Sequence, residues 1–315
     1  MGSPKHFTLK FACSFMLKIA WKDIYAHALP NNHRFPMEKY NLLPEQLRYE
    51  GTVTEANFFE PGILSETAIL RTHDAEYWGK LKNQTLSRKE ERKTGFPLSE
   101  ALVQRERSIM QGSVMTARFA LEHGVAMNIA GGTHHSFTDR GEGFCLLNDI
   151  AIAAHDLLDN GLVKKVLVVD LDVHQGNGTA QVFENEPRVF TFSMHGESNY
   201  PLHKEKSDLD VGLKDATDDN TYLALLDKHL KTLMDQVQPD FVCFQSGVDV
   251  LSTDKLGRLG MTIEGCKQRD RLVLETCKLN GIPVMACMGG GYSEKIGHIV
   301  EAHANTFRLA QEIFF

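Results

Sequence analysis

KVLVVDLDVHQGNG, residues 165–178, is the stretch on which the fold turns. Its first half is a nearly unbroken apolar run rich in valine, the pattern of a strand buried on both faces of a parallel sheet. Its second half changes abruptly to carboxylates, an imidazole and glycines. Along a strand, positions i, i+2 and i+4 share a face. Asp170, Asp172 and His174 therefore project together if the strand persists that far. Two carboxylates and an imidazole leaving so apolar a run are costly to desolvate without a cation. Asp with His is a normal ligand set for Zn²⁺. The alternative is a hydrogen-bonded strand end with no metal.

Outward from this stretch the same grammar repeats. VAMNIAGG (125–132), DFVCFQSG (240–247) and IPVMACMG (282–289) are further unalternating apolar runs. Between them lie segments of helical period: 100–124, 147–161 and 220–237. Asn148 or Asp149 suits a helix N-terminus and Gly161 a C-terminus. Strand-then-helix order predicts an α/β fold, a parallel sheet flanked by helices. No composition break marks a second domain. We expect one domain over 16–315, with 1–15 (MGSPKHFTLKFACSF) a tag remnant or an alternative-start segment. Two polar stretches, 80–100 and 195–219, read as solvated loops, of the kind that form the rim of a site.

Composition narrows the class. The chain has 315 residues, 42% hydrophobic and 24% charged, with a formal net charge of −7. No apolar run approaches the ~20 residues that span a bilayer, so no membrane partner and a cytoplasmic location are expected. An acidic chain is a poor phosphate binder, which argues against direct nucleic-acid contact. Net charge favours cationic substrates only weakly. The six cysteines form no CxxC pair and read as buried reduced thiols.

Three weaker signals accompany the first. Thr133-His134-His135 follows the Gly131-Gly132 strand exit. Gly247-Val248-Asp249 follows the run 240–246. Gly289-Gly290-Gly291-Tyr292 follows 282–288. Singly, each reads as well as a turn, a cap or a satisfied histidine. All four signals, however, fall at the carboxyl ends of different strands, where ligands bind in open parallel sheets. Together they supply metal ligands, imidazoles for proton transfer and a phenol donor, the parts of a metal hydrolase. No carboxylate follows His174 closely, and Asp249 is followed by Val250 and Leu251 rather than directly by a second Asp, so one metal is favoured over a bridged pair.

GGTHHSF, GFCLLND, VVDLDVHQGNG, SGVD and GGGY, in this order, resemble the histone deacetylase family. HALPNNHRFPMEKY (27–40) and LRTHDAEYW (70–78) extend the likeness, which runs from about residue 20 to the end. DLDVHQGNG is most similar to the class IV branch. The resemblance implies the arginase/deacetylase fold with an eight-stranded sheet, and zinc-dependent hydrolysis of acyl-lysine side-chain amides. It implies one zinc on Asp172, His174 and Asp249. His134 and His135 would be the acid/base pair, with Tyr292 polarising the carbonyl and Asp170 and Asn177 behind the two histidines. Phe144 and Gly143, Tyr200 opposite them, and Gly290 would bind substrate. A structural potassium would use Asp170, Asp172, His174, Ser193 and Met194, and a second would lie near Phe183 and Val189.

Two departures bear on activity. Asn177 stands where many members carry an Asp, which leaves His135 harder to protonate. The 94–100 loop offers no clear acidic partner for a peptide backbone, and an open rim would suit long acyl chains. The expected partner is an acylated lysine peptide or a small acyl-amine such as an acetylpolyamine. A catalytically silent scaffold is the alternative of another class, and the oligomeric state is left open.

Overall fold

The computed structural model describes residues 15–315. The apolar runs become strands: β1 Lys18–Ala20, β2 Phe58–Phe59, β3 Val125–Asn128, β4 Val166–Asp170, β5 Val189–Gly196, β6 Leu209–Leu213, β7 Phe241–Gln245 and β8 Val284–Cys287. They form one eight-stranded sheet in the order β2-β1-β3-β8-β7-β4-β5-β6. Every adjacent pair is parallel. β3, β4, β7 and β8 are buried at every residue, which is why their sequences do not alternate. Each fully buried Val or Leu of β4 contributes ~1.5–3 kcal/mol of transfer free energy.

Helices cover the sheet. Glu100–His123 packs on β1, β3 and β8, while Ile263–Asn280 and Ile296–Phe314 pack on each other. The helix Asp149–Asp159 starts where a side-chain cap permits: Asn148 Oδ1 accepts from the Ala151 amide at 3.0 Å. No described helix is long and apolar enough to cross a membrane.

Three expectations need correction. β4 ends at Asp170, so strand alternation does not carry Asp172 and His174. The polar stretch 80–100 contains a helix, Arg88–Thr94, nucleated by a capping box in which Ser87 and Glu90 satisfy each other's amides. The stretch 195–219 contains β6, whose alternating exposure marks a sheet edge. Polar composition concealed both because a capped surface helix and an edge strand need little apolar surface.

Most of the 1–15 segment, with Cys13, lies outside the described residues. Phe15 is described, and its ring packs near Phe315 at 5.0 Å between centroids. The other five cysteines are free and buried, as expected of reduced thiols.

Candidate metal centre and active site

The four signals meet because β3, β8, β7 and β4 are consecutive in the sheet. Past β4 the chain leaves the strand in short side-chain-braced turns. Asp170 Oδ1 accepts from the Asp172 amide at 3.2 Å, and Asp172 Oδ1 accepts from the His174 amide at 3.0 Å. Asp249, after β7, reaches back to accept from the Val173 amide at 2.9 Å. The Gly290 amide, after β8, donates to Asp172 Oδ2 at 2.8 Å.

These bonds aim two carboxylates at one imidazole nitrogen. His174 Nδ1 lies 3.1 Å from Asp172 Oδ1 and 3.1 Å from Asp249 Oδ2. The three candidate ligand atoms lie within 4.8 Å of one another, and all three residues are buried. Among the described residues this is the single His/Cys/Asp/Glu group with metal-ligand spacing.

Electrostatics explains why such a group wants a cation. Burial pushes Asp249 up to about 7, helped by the charge of Asp172. Burial opposes a charge on His174 as well, but its two carboxylate neighbours outweigh it and hold the imidazole up at about 10. A single proton on Nδ1 serves one carboxylate at a time. A divalent cation at the same point serves both, so the donor set fits zinc.

Beside this group stand the two histidines. His134 Nδ1 donates to Asp170 Oδ2 at 2.7 Å. His135 Nδ1 donates to Asn177 Oδ1 at 2.6 Å. Their rings are 4.1 Å apart between centroids. Burial opposes protonation of both. For His134 the charges of Asp170 and Asp172 prevail, and its pKa is raised. His135 has only an amide behind it; burial, then the charges of His134 and His174, holds it well below the usual histidine value. The paired histidines thus differ in proton affinity because His134 lies between two carboxylates, while His135 lies between two imidazoles with an amide behind it.

Tyr292 follows the glycine turn, and its ring centroid lies 6.5 Å from that of His174. Burial, then the charges of Asp249 and Asp172, pushes its phenol up, so it remains a donor. Its backbone amide donates to Asp254 Oδ2 at 2.6 Å.

Phe144 and Tyr200 line one cavity of about 720 Å³ together with His135, His174 and Tyr292. Phe144 is buried beside Tyr292, whereas Tyr200 is 39% exposed. The Tyr200 hydroxyl donates to Glu142 at 2.7 Å, which ties the two walls of the mouth. Residues 198–203 also line the cavity, so the polar stretch 195–219 does form part of the rim. Gly143 backs on the His135 ring: a Cβ there would lie 2.6 Å from His135 Cδ2. Gly290 sits behind the ligands, where a Cβ would lie 2.0 Å from Asp249 Oδ2. Asp170 and Ser193 are register partners on β4 and β5, and Ser193 Oγ pairs with His195 Nδ1 at 2.9 Å.

Sequence reasoning missed several contributors. Lys39 is wholly buried, and its Nζ donates to the Gly289 carbonyl at 3.2 Å. Burial brings its ammonium down to about 8 against the pull of Asp249 and Asp172. Asp254, Glu142 and Arg34 complete the surroundings. Each lies in a stretch that reads as ordinary solvated polarity; HRFPMEKY held the one clue to Arg34 and Lys39, as part of a motif.

The model of the histone deacetylase domain matches residues 33–307. The chain belongs to the histone deacetylase family. It is 44% identical over 296 residues to an uncharacterised protein of Picosynechococcus, covering 94% of this chain and 99% of that one. It is 29% identical to histone deacetylase 2 of Arabidopsis thaliana, covering 88% of this chain and 74% of that protein. A crystal structure of a histone deacetylase homolog from Aquifex aeolicus superposes with a TM-score of 0.80 at 23% identity, over 94% of this chain and 84% of that one. The fold is therefore that of the histone deacetylases, and membership places the chain among deacetylase-type hydrolases.

Proposed function

We propose that the chain is a zinc-dependent amidohydrolase that cleaves the side-chain amide of an acyl-lysine. The observation that carries this reading is the convergence of two buried carboxylates on His174 Nδ1, at a cavity lined also by His135 and Tyr292.

Asp172, His174 and Asp249 would hold the metal. Zinc, when bound, supplies Lewis acidity, lowering the pKa of a water from ~15.7 toward ~7. The protein's part follows from the hydrogen bonds. His135 donates a hydrogen bond from Nδ1–H to Asn177, which leaves Nε2 as the acceptor for a water proton. Once protonated, the same ring can donate to the departing amine. His134, whose proton affinity Asp170 raises, assists when protonated by favouring negative charge developing beside it. The Tyr292 phenol donates to the carbonyl oxygen as it becomes anionic, a contribution of ~3–4 kcal/mol for one such donor. The complete set supports an enzyme over a silent scaffold. Asp170 and Ser193, register neighbours on the interior strands β4 and β5, support the structural-potassium assignment with Asp172, His174 and Met194.

On the acyl side, the small pocket bounded by Gly132, His134, Arg105 and Gly289 is about 40 Å³. That admits a few water-sized groups, which favours acetyl over a long fatty chain. Acetyl-lysine peptide should accordingly be turned over faster than its myristoyl counterpart. Zinc chelation should abolish turnover and zinc should restore it. Tyr292→Phe should lower kcat by roughly 10²–10³-fold with zinc content unchanged. Turnover that survives a metal-free preparation would sink the reading.

A further inference from the structure

The mouth of the site carries charge opposite in sign to the chain as a whole. The formal net charge is −7, yet Arg34, Lys93, Arg140 and Arg258 line the cavity against Glu142 and Glu205. Glu142 is already saturated. It accepts from Lys93 Nζ at 3.1 Å, from Arg140 Nε at 3.0 Å and from the Tyr200 hydroxyl at 2.7 Å. A cationic substrate could engage it only by displacing those donors. Arg140 has Asp139 as a further partner at 2.9 Å, and Arg258 has Asp215 at 3.7 Å.

Arg34 differs from the others. It is exposed and, among the described residues, makes no ion pair within 4.0 Å. Its guanidinium carbon lies 4.9 Å from the centroid of the Phe144 ring. A guanidinium over an aromatic wall and without an ion-pair partner has N–H groups free for an anion, and its planar fork matches a carboxylate.

We propose that Arg34 is a specificity residue that recognises an anionic group on the amine side of the substrate. The substrate class is an Nε-acylated lysine with a free α-carboxylate. This inference rests on the acyl-amine reading above and deepens it. The four methylenes of lysine carry the α-carbon past Phe144 to the rim, where its carboxylate meets the Arg34 fork. An acylated polyamine, or an acyl-lysine inside a basic tail, brings cations into the same field and is disfavoured. Local charge at the mouth thus overrides the weak expectation from net charge that the substrate is cationic.

The test is a matched pair on the zinc-loaded enzyme: Nα-blocked Nε-acetyl-lysine as free acid and as carboxamide, which differ by one charge. The acid should show a kcat/KM about five- to tenfold higher, mainly through KM. The preference should shrink with added salt and fall to about unity in Arg34→Ala. Equal turnover of acid and amide overturns the proposal alone, as does an acid preference that survives Arg34→Ala or faster hydrolysis of acetylputrescine than of the acid. Hydrolysis of none of these compounds overturns the acyl-amine reading and the proposal with it.

Discussion

At the scale of single residues, the two histidines show how one atom sets a proton affinity. His134 faces Asp170 and His135 faces Asn177 through equivalent Nδ1 bonds of 2.7 and 2.6 Å. The carboxylate stabilises an imidazolium with a full charge, the amide only through its hydrogen bond. His135, already held low by burial and two neighbouring imidazoles, acts as a base only when neutral. Activity is therefore lost as pH falls through its pKa. Asn177→Asp raises that pKa and should move the acidic limb of the kcat/KM profile to higher pH. A limb that stays in place would show that the partner of His135 does not set its titration. The spare acceptor of an amide was readable from sequence; the burial that makes it decisive was not.

At the scale of elements, the site depends on strand ends that approach closely. Gly132 leaves β3 with φ +73°, and a Cβ on it would stand 2.6 Å from both the Cα and the amide nitrogen of Gly289 beyond β8. Neither backbone can retreat, because β3 and β8 are hydrogen-bonded neighbours. Gly132→Ala should cost ~1–3 kcal/mol from the backbone conformation alone, with the clash adding to it. It should also lower zinc affinity by displacing the loop that carries Gly290. Denaturation and zinc titration check both parts; an unchanged melting temperature with full zinc affinity would refute the close-approach argument. The glycine pair after β3 and the glycine triplet after β8 were visible in the sequence, but not that they face each other.

At the scale of the whole molecule, His73 links distant segments. Its Nδ1 donates to the Phe137 carbonyl at 2.9 Å, and its Nε2 accepts from the Asn148 amide at 3.0 Å. The neutral ring thereby clamps the loop that carries His134 and His135. Burial brings its pKa down to about 4, against the lift from the Phe137 carbonyl. The folded value lies below the unfolded one of ~6.5, so the unfolded chain binds the proton first. The stability contribution is full above about 6.5 and is lost as pH falls toward 4, on the order of 3 kcal/mol. Urea titrations at pH 7 and pH 4.5 should show a smaller pH penalty in His73→Gln than in the native protein. Identical pH dependence in the two would remove His73 from this role.

The four central strand runs, three of the long helices and the four chemical motifs were fixed by local patterning, because periodicity and turn chemistry act over a few residues; the polar helix Arg88–Thr94 and the edge strand β6 were not. Their assembly was not. The strands bearing Thr133-His134-His135, Asp172, Asp249 and Tyr292 come third, fourth, seventh and eighth in the chain but stand side by side in the sheet. Only the folded packing sets that adjacency, through contacts between residues far apart in sequence. It alone turns Asp172 and Asp249 onto one nitrogen, buries Lys39 behind them and sets Arg34 at the mouth with no ion pair among the described residues.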